Sequence, residues 1–201
     1  MIESVNFTAA FLAKLQAGDR HTFAELVEKT SGSIFNLGLR MLGNEQDAED
    51  MLQETYLKAY KALPGFENRS SLNTWLYRIA VNEALLQLRK RKNFSETDDL
   101  RAAEDDDQEL EIIDWCCLPE SEFISEETVR KLSEAALQLT PSLRMVFLLR
   151  DVQGFTTSET ADVLQINEDA VKTRLVRARA KLRNELSDYF GERLKGYQKN
   201  A

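Results

Sequence analysis

Proline, glycine, cysteine and histidine are all scarce in this 201-residue chain, with three, eight, two and one copies respectively. So few prolines and glycines leave little to interrupt long helices, and no stretch alternates apolar with polar residues as a half-buried strand would. The single histidine, His21, falls in a helical N-terminal run and reads as a surface or capping residue. No glycine-rich phosphate loop occurs, and no serine or cysteine stands beside a plausible base. Nucleophilic and phosphoryl-transfer enzymes therefore have little to be built from. Cys116 and Cys117 are adjacent and cannot readily bridge each other, which fits a reduced, cytoplasmic protein. Nowhere do about 18 apolar residues run together, so no membrane span is expected. The opening "MIESVNFTAAFLAKLQAGDR" lacks a basic region followed by an apolar core, so no signal peptide is expected either.

What is present suits helices around a core. Hydrophobic residues make up 43% of the chain, and the length allows one large domain or two small ones. "FTAAFLAKLQAG" and "HTFAELVEKTSGSIFNLGLRML" space their apolar residues by three and four, the period of an amphipathic helix. "NEQDAEDMLQETYLKAYKAL" continues the pattern, with Asn44 placed to cap it and acids in its first turn. Pro64-Gly65 breaks the pattern. "SSLNTWLYRIAVNEALLQLRKRK" resumes it, turning Leu72, Trp75, Leu76, Ile79 and Leu86 toward a core and ending in the basic run Arg89 to Lys92. Helices return near Glu127 as "EETVRKLSEAALQL", "PSLRMVFLLRDVQ" and "TSETADVLQ". The expected fold is all-α.

Charge is plentiful but segregated. The net charge is −8, yet residues 96–128 hold 14 acids against one base, Arg101, so that segment carries −13 and the remainder +5. Such a block reads as a solvated linker between two small helical domains, residues 1–95 and 129–201. Its run "EDDDQELE" lacks the glycine turn and spacing of a calcium loop, so neither metal nor cofactor is expected.

The basic counterpart is "AVKTRLVRARAKLR", residues 170–183, with six cations and no acid. At about 100° per residue, Val171, Leu175, Ala178 and Leu182 form one apolar stripe for a core. Lys172, Arg179 and Arg183 fall on one shoulder of it, and Arg174, Arg177 and Lys181 on the other. Thr173, Val176 and Ala180, all small and uncharged, occupy the opposite pole. Cations on both shoulders with small groups between them suit a helix in a DNA major groove, set between two phosphate backbones. Just upstream, Thr156 and Glu159 have capping-box spacing, and Asn167 is placed to cap the basic helix. Two short-linked helices with a basic second member read as a helix-turn-helix.

"GFTTSETADVLQINEDAVKTRLVRARAKLRNEL" resembles the C-terminal DNA-binding domain of extracytoplasmic-function (ECF) sigma factors of bacterial RNA polymerase. "DAEDMLQETYLKAYKAL" and "FENRSSLNTWLYRIAVNEALLQLRKRK" resemble that family's N-terminal domain, in the family's order and spacing. Gln165 stands where the family's turn often has a small residue, and Thr160 where an aliphatic one is usual. The resemblance implies a protein that catalyses nothing itself and guides RNA polymerase core to promoters. It implies that Asp47, Glu49, Asp50, Gln53 and Glu54, with Met51 and Leu57 as the apolar part, meet the clamp helices of the polymerase's largest subunit. It implies a loop holding a flipped base of the minus-ten element, for which Phe66, Asn68 and Asn82 are candidates, with Arg78 on the backbone. Trp75 shares the helical phase of Leu72, Leu76 and Ile79, and so reads first as core. Lys90, Arg91 and Lys92, an unpatterned basic run, suit phosphates. Lys172, Thr173, Arg174, Val176, Arg177, Arg179, Lys181 and Arg183 would read the minus-thirty-five element. An anti-sigma factor, sometimes membrane-bound, is the implied inhibitory partner.

The linker has an expectation of its own. Its 33 residues span roughly 30–35 Å when relaxed and about 110 Å when extended. Promoter elements two or more helical turns apart lie at least about 70 Å from each other. The linker is therefore expected to be drawn out on polymerase, and to return its acids to the basic faces of the free chain as a DNA mimic. The apolar island "IIDWCCL", residues 112–118, would dock rather than stay solvated. A stand-alone helix-turn-helix regulator that binds duplex DNA as a dimer is the rival reading. It supplies no dimerisation module and leaves the N-terminal motifs unexplained.

Overall fold

The structure is a computed structural model and describes residues 7–92 and 126–198. The acidic linker nearly entire, with Cys116, Cys117 and the island 112–118, lies outside the described residues. Every element among the described residues is helical: α1 (Ala9–Gln16), α2 (Arg20–Leu42), α3 (Glu45–Ala62), a 3-10 turn (Leu63–Gly65) and α4 (Leu72–Lys92). After the linker come α5 (Glu126–Gln138), α6 (Pro141–Phe147), a π turn (Leu148–Val152), α7 (Thr157–Leu164) and α8 (Glu168–Gln198).

Helix starts follow the local chemistry of the chain. Asp19, Asn44 and Ser71 each accept a backbone N–H three residues on, from Thr22, Asp47 and Thr74, at 2.9, 3.0 and 3.0 Å. Gly43 ends α2 with φ +68, a left-handed conformation that costs glycine little. A Cβ there would also stand 3.2 Å from Leu137 of α5. At Gly38 a Cβ would lie 2.7 Å from the Met51 side chain, so the missing side chain is what lets α2 and α3 close together.

Leu26, Ile34, Leu37, Met41, Met51, Leu76 and Val81 fill the space between α2, α3 and α4. Met145, Leu148, Leu149, Val163, Val171 and Ala178 do the same for α6, α7 and α8. The two groups of helices touch, and one continuous apolar core runs through both. Helix α4 lies against α7, while the C-terminal end of α2 meets α5 and α6. Tyr77 of α4 donates to Gln153 Oε1 at 2.8 Å, and its ring packs on Phe155 with centroids 4.7 Å apart. Arg144 reaches from α6 to the Met41 carbonyl at 2.6 Å.

Two sequence expectations are corrected here. Leu86 does not face the core; it is 39% exposed, because α4 buries Ala84 and Leu85 and the next residue turns about 100° away. The stretch "PSLRMVFLLRDVQ" is not one uniform helix. Its last turn widens, with Gln153 N–H donating to Leu148 O and Phe155 N–H to Leu149 O. Gly154, at φ +77, then reverses the chain.

Candidate functional site

Three surfaces collect the residues that the sequence singled out. The first is a groove of about 550 Å³ between α3 and α4. Asp50, Gln53 and Glu54 form one wall, and Glu83, Gln87 and Lys90 line the other. Lys58 crosses between the helices to Glu83 at 2.5 Å. Beyond it the surface turns apolar, with Leu57 53% exposed and Tyr60 also open to solvent. Glu49 is exposed but lies outside the groove lining. Asp47 is half-exposed and held by an ion pair to Arg91. Met51, expected on this face, is fully buried: in α3 it shares the inner stripe with Ala48, Thr55 and Ala59, under Gly38.

The second surface is a cavity of about 280 Å³ in the loop between α3 and α4. Phe66, Trp75 and Arg78 line it, with Glu67, Arg69 and Ser70 at its edge. Phe66 is only 7% exposed, because its ring packs on Trp75 at 5.0 Å and its carbonyl accepts from Gln16 Nε2 at 2.6 Å. It is a wall of the cavity, not a free ring. Trp75 is half-buried, packing inward and lining the cavity at once. Asn68 and Asn82 are exposed, but the fold brings neither into this lining; Asn68 sits in the turn at φ +55, and Asn82 a helical turn beyond Arg78. Asp162 of α7 closes one side, a contribution no local sequence pattern announced. At the far end of α4, Lys90 is exposed, whereas Arg91 is tied down. Besides Asp47, it donates to the Leu42 carbonyl at 2.9 Å, so it is no loose phosphate anchor. Lys92 is the last residue of α4.

The third surface is α8. Thr156 opens α7 with a reciprocal capping box: Glu159 N–H donates to its hydroxyl at 3.1 Å, and Thr156 N–H donates back to the Glu159 carboxylate at 2.9 Å. Gln165 ends α7 at φ +55, a left-handed position without glycine, and its amide donates to the Asp162 carbonyl at 2.6 Å. Asn167 then caps α8 by accepting from Ala170 N–H at 2.7 Å. Val171, Leu175, Ala178 and Leu182 are all buried, and opposite them Val176 is 67% exposed beside exposed Thr173.

The shoulders differ from their expected form. Arg174 is buried, 8% exposed, because the apolar stripe on that side is wide enough to take it in. Arg177, Lys181 and Arg183 are half-buried. Lys172 is exposed, and the hydrogen bond from its ammonium to the Asp169 carboxylate at 3.0 Å raises its pKa above the ordinary lysine value. Arg179 donates to both oxygens of Asp151, in the π turn, at 2.8 and 2.7 Å. Asp151 lies 28 residues away, too far for any spacing rule to pair it with Arg179.

Comparison with known proteins gives the family of the chain. Residues 26–94 match sigma-70 region 2, and residues 125–182 match sigma-70 region 4. An all-α chain carrying both regions is a transcription initiation factor of the sigma-70 class. The ECF RNA polymerase sigma factor SigW of Bacillus subtilis is 32% identical over 178 residues, covering 88% of this chain and 95% of SigW. The RNA polymerase sigma-H factor of Pseudomonas aeruginosa is 32% identical over 183 residues, covering 89% and 93%. In fold, the chain is similar to CnrH in its complex with the cytosolic domain of CnrY, with TM-score 0.63, 24% identity, and 89% and 96% of the two chains covered. It is also similar to the sigma factor RpoE of Bartonella quintana in complex with the anti-sigma factor NepR, with TM-score 0.61, 24% identity, and 82% and 96% covered. The chain belongs to the ECF sigma factors, which direct RNA polymerase to promoters.

Proposed function

We propose that the chain divides promoter recognition between residues 1–95 and 129–201, each acting as a domain, with the acidic segment as their tether. The α3 wall of Asp50, Gln53 and Glu54, extended by exposed Leu57, docks on the clamp helices of the polymerase's largest subunit. Carboxylates along one face suit a basic helical partner. The loop cavity of Phe66 and Trp75 holds a base unstacked from the minus-ten element. Arg78 and Lys90 steady the strand, and Asn68 and Asn82 approach it from outside the cavity. Helix α8 reads the minus-thirty-five element, with Thr173 and Val176 toward the base edges and Lys172, Arg177, Lys181 and Arg183 at the flanks.

The observation that carries this reading is the layout of α8: a buried stripe, a small exposed pole and basic shoulders, behind a capped helix and a tight turn. Reading both elements requires α7 to leave α4, since Asp162 stands at the cavity that would take the base. The chain works in the cytoplasm, catalyses nothing itself, and is held back by an anti-sigma factor, membrane-anchored or free. Run-off transcription with core polymerase on a randomised promoter pool tests the reading. Two enriched elements at fixed spacing are expected, with the upstream one lost on Arg177→Ala. A footprint on duplex DNA without polymerase would favour a stand-alone regulator.

A further inference from the structure

Arg179 leaves α8 on the same shoulder as Lys172 and Arg183, about 60° round the helix from exposed Val176. Its Nε and Nη2 donate to the two carboxylate oxygens of Asp151 at 2.8 and 2.7 Å, the two-pronged geometry that fixes a guanidinium most firmly. The side chains of the pair remain 56% and 23% exposed, Arg179 the more so. A pair this open to water adds little to stability, and Arg179 is no buried charge in need of compensation. What the pair changes is the set of donors that DNA meets, because the Nε and Nη2 of Arg179 are turned to Asp151 and away from a phosphate. Asp151 is held in place by the π turn Leu148–Val152, itself anchored by the buried Leu148 and Leu149, so the couple belongs to the scaffold.

We propose that Asp151 is a specificity-determining residue for the upstream promoter element: it withholds Arg179 from the phosphate backbone, so that binding depends on the base-reading pole of α8. The inference rests on the reading of α8 as the recognition helix. A phosphate contact strengthens binding to every sequence alike, and each one steepens the fall of log affinity with log salt by about 0.9. Initiation depends on the ratio of specific to random binding. An acid that cancels one anchor on the recognition helix raises that ratio at the expense of raw affinity.

The test uses the full-length chain bound to core polymerase, on a duplex with the selected upstream element and on a scrambled duplex, from 50 to 200 mM salt. Asp151→Asn keeps the shape and removes the charge. The scrambled duplex is expected to bind more tightly at low salt, and to lose about three- to four-fold more affinity than with wild type across that range. The preference for the selected duplex is expected to fall. In an Arg179→Gln background the same change is expected to add no salt dependence. An equal gain there would mean that the acid merely repels DNA, and would overturn the proposal. So would an unchanged slope, or equal losses on both duplexes with a lower melting temperature, the mark of a simple brace. Arg179→Gln alone gives a second check: its slope is expected to match wild type, and one shallower by about 0.9 overturns the proposal. A wild-type complex with no preference for the selected duplex, or one whose preference survives Arg177→Ala, faults the reading of α8 instead.

Discussion

Thr160 lies fully buried in α7, and its hydroxyl has no hydrogen-bond partner among the described residues. Burying an unpaired hydroxyl costs about 1–3 kcal/mol in proteins. Thr160→Val keeps the shape and removes that cost. We expect it to stabilise the fold by about 1 kcal/mol, raising the melting temperature by about 2–4 °C in thermal unfolding. A lower melting temperature would mean that the hydroxyl is satisfied. Tyr56 gives a pH signature. Burial, partly offset by a 2.6 Å hydrogen bond with Thr30, pushes its phenol up to about 12 from an ordinary value of 10.0. The folded chain thus favours the neutral ring. Its contribution is whole below about pH 10 and is lost as the pH climbs toward about 12. Alkaline unfolding followed by circular dichroism should be blunted in Tyr56→Phe across that window, and the same slope in both proteins would remove Tyr56 as the cause. The sequence marked Thr160 only as standing where the resembling family has an aliphatic residue and did not point to Tyr56, since burial of a single side chain depends on what lands against it.

At the scale of elements, the caps at Asn44, Thr156 and Asn167 and the stripe of α8 were legible because they rest on partners three or four residues away. The same local logic misplaced Leu86, and the family resemblance put Met51 on an outer face that the structure buries. Helical phase gives the angle of a side chain, not which of two flanking helices will cover it. Arg144 shows what lies beyond such logic. Its guanidinium is buried with no carboxylate partner among the described residues and donates to carbonyls at the C-terminal ends of two helices: Ala136 at 2.9 Å, Leu139 at 3.0 Å and Leu137 from α5 and its exit, and Met41 at 2.6 Å from α2. Those ends carry partial negative charge, which offsets the burial that lowers its pKa. Arg144→Met leaves these acceptors without their donor, and a loss of about 2–4 kcal/mol is expected in denaturant unfolding. A loss below 1 kcal/mol would show that water replaces the guanidinium. The exposed wall of α3 should behave in the opposite way. Asp50→Arg with Glu54→Arg is expected to leave the circular dichroism unchanged and to abolish capture by core polymerase. Retained capture would move the docking face elsewhere.

For the whole molecule, the charge map separated two helical stretches but carried nothing on how they pack against each other. That packing depends on contacts such as Tyr77 to Gln153, 76 residues apart, which no periodicity encodes. That contact also gives a handle on the closed arrangement. Tyr77 and Gln153 are both buried, and the hydrogen bond between them forms only while α4 and the turn that precedes α7 are together. Gln153→Ala removes the tyrosine hydroxyl's hydrogen bond across the seam and leaves it Ser33 of α2 in the closed state, whereas the open state solvates it. Tyr77→Phe takes the same bond from the glutamine amide. Each change penalises the closed state by about 1–3 kcal/mol and leaves an open state nearly untouched. If polymerase binds the open state, the apparent dissociation constant is the intrinsic one divided by the fraction that is open, so a weaker seam strengthens binding. Each single variant is therefore expected to bind core polymerase more tightly, by about five-fold or more for each kcal/mol of closed-state penalty. Amide exchange should quicken in α4 around Tyr77 and in α7, while the α2–α3 core keeps its protection. The double variant pairs two apolar groups and should recover part of the seam, so its effect is expected to be smaller than the sum of the two. Additive effects would mean that the hydroxyl and the amide do not depend on each other. Unchanged polymerase affinity in both single variants, with faster exchange at the seam, would mean that polymerase engages the chain without parting α4 from α7.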